Sequence, residues 1–246
     1  MKFRHQRSIW MIALLLALFL PNTGVSYADS PPATYQVTIT NLTSGQPLTP
    51  PVVATHRKPF HIFEVGSAAS FGVKEIAENG NNAPLLAALG VEEHVFEALQ
   101  AGAGPLVPAS APGGATFPDS VTFTITSTHE AKYLSFVAML VCTNDGFTGV
   151  DSVRLPKKVG DNVTAYTAGY DAGTEINTED FTDIVPPCQG LIGVSSGEAG
   201  TGMSNPALAE GGVIMHHPGI QGGSDLLPGV HGWTDPVAMI VIERIN

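Results

Sequence analysis

Between residues 121 and 126 the chain alternates without a break. Val121, Phe123 and Ile125 are apolar, and Thr122, Thr124 and Thr126 carry hydroxyls. Successive side chains of a strand point to opposite faces, so a period of two marks a strand with one buried and one wet face. Residues 35–40 repeat the pattern, with Tyr35, Val37 and Ile39 set against Gln36, Thr38 and Thr40. Residues 133–141 are almost continuously apolar, as expected of a strand covered on both faces. Together with 121–126 they are expected to form an edge-to-centre strand pair joined across Thr128-His129-Glu130. Further strands are expected at 150–155, 163–167 and 237–245, the last tying down the C-terminus.

Helical periodicity is confined to a short stretch. Ala69, Val73, Ile76 and Ala77 share one helical face, and Asn79-Gly80 supplies a left-handed stop. A second helix is expected from Pro84 to Gly90, and a third from the spacing of Val91, Val95, Ala98 and Leu99 before Gly102. Upstream, Pro47, Pro50, Pro51 and Pro59 argue that residues 46–58 form an ordered loop and neither a helix nor a central strand. Residues 102–119 and 190–232 are rich in glycine and read as long loops. The expected fold is mainly β: an antiparallel β-sandwich with a small helical insertion between early strands.

The first 28 residues read as a secretory signal. Lys2, Arg4 and Arg7 precede an apolar run over residues 12–20, and Ser26-Tyr27-Ala28 offers small residues for cleavage. The run is shorter than the roughly 20 residues that span a bilayer, and no membrane span is expected later. Residues 29–246 are then one exported domain, periplasmic or extracellular. Loss of the leader would leave eight basic against 22 acidic side chains, a formal charge of −14. That balance disfavours nucleic acid as a partner and suits cations or basic partners, although it serves solubility equally well. Cys142 and Cys188 are an even pair in a chain bound for an oxidising compartment, so a disulfide is one reading and two buried thiols the other. A disulfide there would add about 3 to 4 kcal/mol in the chain-entropy account.

Two acidic turns stand where strands end: Thr143-Asn144-Asp145-Gly146-Phe147 and Asp171-Ala172-Gly173-Thr174-Glu175. Calcium takes six to eight oxygen ligands, and irregular glycine-bearing turns let main-chain oxygens face inward beside the acids. Acidic turns of this kind also cap turns or meet solvent, and the spacing does not decide between the two roles.

A longer series of matching pieces runs through the chain. It opens with Tyr35, Val37 and Thr38, then Pro50-Pro51 with Ala54-Thr55-His56, Phe63-Glu64 with Gly66, Ala69-Ser70, and Ile76-Ala77-Glu78 with Gly80. It continues with Asn144-Asp145, Phe147 and Gly149, then Asp171 to Glu175, and closes on Val241-Ile242-Glu243-Arg244-Ile245. In this order they resemble the spondin domain, a module of secreted extracellular-matrix proteins found also in bacteria. The resemblance implies a β-sandwich with calcium held at one end by Asp145, Asp171 and Glu175. Animal spondins carry Asp at the last position, and Glu175 is one methylene longer. Asp151 and Asn144 stand near the first turn as a further acid and an orienting amide.

Other signals are weaker. His56, His61, His216, His217 and His231 form no His-x-x-x-His pair. The sequons at Asn41 and Asn162 and the aromatics Phe147, Tyr166 and Trp233 carry no assignment. The expected function is that of a non-catalytic, calcium-binding module, not an enzyme, meeting an extracellular or cell-surface macromolecule. The alternatives are a structural envelope protein without a specific ligand, and a hydrolase or redox protein using the histidine-bearing loops.

Overall fold

The structure, a computed structural model, describes residues 31–246. The expected signal peptide, residues 1–28, lies outside the described residues. Two antiparallel sheets form the body. One has four strands: β1 (Ala33–Asn41), β4 (Ser120–Ser127), β7 (Asn162–Tyr166) and β10 (Ala238–Arg244), in the order β4-β1-β10-β7. The other has six: β2 (Val52–His56), β3 (Val95–Gln100), β5 (Tyr133–Met139), β6 (Gly146–Arg154), β8 (Ala168–Asp171) and β9 (Met215–His216), in the order β3-β2-β5-β6-β8-β9.

In the smaller sheet Val37 faces Phe123 on one side and Ile242 on the other, and Ile39 faces Val121 and Ile240. One apolar face of each strand is thereby buried against the six-stranded sheet. Leu134, Phe136 and Ala138 of β5 enter this inter-sheet core with Val53, Ile125 and Ile240. Val137 and Met139 point the other way, into a second core with Val52, Ala54 and Phe147. Two-sided burial is why the sequence of β5 reads as a continuous apolar run.

The second core is roofed by α1 (Phe71–Asn79), α2 (Ala83–Leu89), the short α3 (Pro187–Ile192) and the loops after β8, while a last turn, α4 (Pro228–His231), lies nearer the C-terminus. Ser70 caps α1 by accepting the Val73 N–H at 3.2 Å, and Gly80 ends it at φ 64°. Val73, Ile76 and Ala77 face the core, and so does Glu78, an acid on an apolar face. Gly72 lets α2 approach: a Cβ there would stand 2.8 Å from the Leu85 Cα.

Three expectations are corrected. Residues 52–56, read as part of a proline-rich loop, are β2, an interior strand buried along its whole length. The prolines flank the five residues without entering them, so every ladder N–H is retained. Residues 95–100, read as helix, are the edge strand β3. Residues 121–126 and 133–141 do not pair with each other: β4 is an edge of one sheet, β5 lies inside the other, and the connection between them crosses the sandwich. Among the described residues no helix is long and apolar enough to cross a membrane.

Gly72→Val forces branched carbons into Leu85 and is expected to cost about 1 to 3 kcal/mol in chemical denaturation with the far-ultraviolet spectrum retained. Wild-type stability in this variant would contradict the tight α1–α2 packing.

Candidate metal centre

β6 and β8 pair with Gly146 directly opposite Asp171. This register brings the start of one strand and the end of the other together, and the Ala172 N–H donates to the Asp145 carbonyl at 3.1 Å. The turn before β6 is fixed from within. The Thr143 hydroxyl donates to the Leu140 carbonyl at 2.6 Å and accepts the Gly146 N–H at 2.9 Å. Gln46 holds both backbone groups of Cys142, donating to its carbonyl at 3.1 Å and accepting its N–H at 3.0 Å. Cys142 is disulfide-bonded to Cys188 in α3, so the strand end that leads to Asp145 is braced from two directions.

The second turn wraps around Asp145. Its Oδ2 accepts the N–H groups of Thr174 at 2.7 Å and Glu175 at 3.0 Å and the Thr174 hydroxyl at 3.1 Å. Gly173 permits this at φ 68°, with the Val213 nitrogen only 2.6 Å from where a Cβ would sit. Asp145 is fully buried, yet its Oδ1 has no hydrogen-bond partner. Asp171, also buried, accepts the Gly173 N–H at 2.7 Å and the Asn177 amide at 2.6 Å. Burial raises the Asp145 carboxyl to about 6, the charge of Asp171 adds to the rise, and the three hydrogen bonds oppose it. Burial likewise raises Glu175 to about 7, with Glu78 and Asp145 contributing and the Asn205 hydrogen bond opposing.

The three acids expected from the sequence are therefore neighbours, but they do not form a closed ligand set. Among the described residues no group of three or more His, Cys, Asp or Glu side chains is gathered tightly enough to hold a metal ion. Asp145 and Asp171 form the charged pair, while the Glu175 carboxylate turns to the Asn205 N–H at 2.7 Å. Hard oxygens, dense negative charge and an orphaned buried carboxylate oxygen fit a divalent cation at Asp145 and Asp171. Glu175 does not yet aim at it.

Asp151 lies elsewhere, holding His61 at 2.6 Å and the Ile62 N–H at 2.9 Å. Asn144 binds the backbone of Glu179 and the Thr178 hydroxyl, a structural role. His56 is buried against Ser135 at 2.7 Å. His217 and His231 each accept a backbone N–H at Nδ1, from Gly219 and Leu227, which places the neutral-ring proton on Nε2. Burial lowers the pKa of both. Phe147 is core, packed 5.1 Å from Phe63, and Tyr166 stands exposed on the edge strand β7.

Two acids that sequence reasoning passed over matter here. Glu179, at φ 58°, gathers the N–H groups of Gln221, Gly222 and Gly223 on its carboxylate and orders that glycine-rich loop. Glu78 is the buried acid of α1. Only the Gly222-Gly223 pair hinted at a carboxylate-filled nest, and nothing local distinguished Glu78.

The Spondin_N family model, the spondin N-terminal domain, matches residues 29–184, well over half of the chain. The chain belongs to the spondin N-terminal domain family. None of the curated proteins matches it. The matched span of this spondin domain includes Asp145, Asp171 and Glu175 and stops before Cys188 and β10. β10 nevertheless completes the spondin sheet, lying between β1 and β7.

In EDTA, a carboxyl raised from 3.8 to about 6 binds its proton more tightly folded than unfolded. Its contribution to stability is complete below pH about 4 and disappears as pH rises through 6, a change of about 3 kcal/mol for Asp145. Urea denaturation in EDTA from pH 4 to 7.5 should show this fall, and Asp145→Asn should make it shallower, leaving the part that Glu175 contributes with the same sign. A wild-type profile as shallow as the variant's would contradict the burial of this charge.

Proposed function

We propose that this spondin domain is an exported, non-catalytic module in which Asp145 and Asp171 hold a calcium ion. The two loops fixed by that ion then meet a macromolecule at the cell surface or outside the cell. The observation that carries this reading is the Asp145 carboxylate: fully buried, one oxygen saturated by three donors and the other with none, beside the charge of Asp171. Leaving a buried charge uncompensated costs several kcal/mol, and a hard cation with oxygen ligands removes that cost. Calcium, when bound, supplies charge compensation and a link between the two turns.

The remaining work falls to the chain. Thr174 and Glu175 orient Asp145 through their amides, Asn177 and Gly173 orient Asp171, and the disulfide steadies the approach to the first turn. Glu175 joins the ligands by giving up the Asn205 amide, which its longer side chain makes feasible. The spondin family is non-catalytic, in keeping with a binding role. We extend the domain over residues 29–246, because β10 closes the same sheet that β1 opens.

Thermal unfolding in EDTA and then in millimolar calcium tests the proposal. Calcium at 100 times its Kd adds about 2.7 kcal/mol, so the melting temperature should rise clearly in the wild type and not in Asp171→Asn. An equal response in both proteins, or none in the wild type, would sink the assignment.

A further inference from the structure

Glu78 occupies the last turn of α1 with its side chain fully buried, and neither carboxylate oxygen has a hydrogen-bond partner. The nearest cation, Lys74 one turn earlier, stands 3.6 Å from Oε1, beyond hydrogen-bond distance, and is about one-third exposed. The adjacent Asn79 donates to Ser204 at 3.0 Å but leaves its own buried Oδ1 without a donor. Three acceptor oxygens on consecutive residues thus lack partners. Buried acceptors are ordinarily satisfied, and an unsatisfied carboxylate is the most costly of them.

These residues line two adjoining hollows. Glu78, Asp183, Ser204 and Asn205 border a cavity of about 240 Å³, and Asn79 borders a groove of about 420 Å³ whose walls include Phe117, Met139, Val141 and Leu191. The two share Val185 and Gly202 as walls. One end is therefore acidic and polar, and the other is aliphatic and aromatic. Asp183 is already occupied by Thr178 and Asn205, and Glu78 is met only by Lys74, which is partly exposed and too distant to donate a hydrogen bond.

We infer that this paired hollow binds an alkylammonium ion, its charged head against Glu78 and its aliphatic stem along the groove. An ammonium carries three N–H donors and no acceptor, the complement of oxygens that lack donors. A hydrocarbon stem matches the groove, where burial of apolar surface adds to the charge pairing. A chloride or phosphate would meet the carboxylates of Glu78 and Asp183. The site uses neither Asp145 nor Asp171, and because its wall residue Asn205 also holds Glu175, the binding is measured with calcium removed.

Binding of hexylamine to the mature protein, followed by calorimetry in EDTA at pH 7, tests it, with hexanol as the neutral analogue. Hexylamine should bind at least tenfold more tightly than hexanol. Glu78→Gln should weaken hexylamine at least tenfold while leaving hexanol unchanged. Lys74→Met, which removes the competing ammonium, should tighten hexylamine and guards against a misfolded Glu78 variant. Nα-acetyl-lysine methylamide separates the two sources of the ligand: binding comparable to hexylamine identifies a lysine side chain of a partner, and binding of hexylamine alone identifies a free amine. Equal binding of hexylamine to wild type and Glu78→Gln, or no binding to either wild type or Lys74→Met, would overturn the inference.

Discussion

The six-stranded sheet is buried on both faces, and the rest of the molecule is arranged around that constraint. One face of β5 meets the four-stranded sheet through Leu134, Phe136 and Ala138, while Val137 and Met139 need a second cover. That cover comes from α1, α2 and the glycine-rich connections, which must run across the sheet and carry polar backbone with them. Loops placed over a hydrophobic face have to satisfy their amides internally. Buried carboxylates do part of that work here: Asp145 gathers the turn after β8, and Glu179 gathers residues 221–223.

The Asp145 site follows from strand register. Gly146 opposite Asp171 puts two acidic turns side by side. The disulfide and Gln46 act on the same strand end, so the turn before β6 has little freedom left. Burial raises the proton affinity of Asp145, and the neighbouring charge of Asp171 adds to the rise. Removal of charge by a proton and compensation of charge by a cation are competing solutions to one electrostatic problem.

Much of this was legible in the sequence. Strict alternation marked β1 and β4, a continuous apolar run marked β5, and the spacing of Val73, Ile76 and Ala77 before the Gly80 stop marked α1. The two acidic turns were visible because glycine and acid stood together at strand ends. β2 was hidden by its flanking prolines, which dominate a window wider than the five-residue strand. β3 mimicked a helix because Val95, Ala98 and Leu99 fall three and four apart, and an edge strand with Glu97 at its centre lacks the alternation that would contradict them. Glu78 and Glu179 carry no local mark, since only tertiary burial separates them from ordinary surface acids. The direction of the Glu175 side chain likewise depends on Asn205, thirty residues away in sequence.

Calcium titration by calorimetry near pH 6, run in two buffers of different ionisation enthalpy, measures the ion and the displaced proton together. The expected result is one calcium per chain with roughly one proton released, because Asp145 and Glu175 are partly protonated before the ion arrives. Absence of calcium binding, or binding without proton release, would contradict the account of Asp145 as a buried carboxylate whose charge the ion compensates.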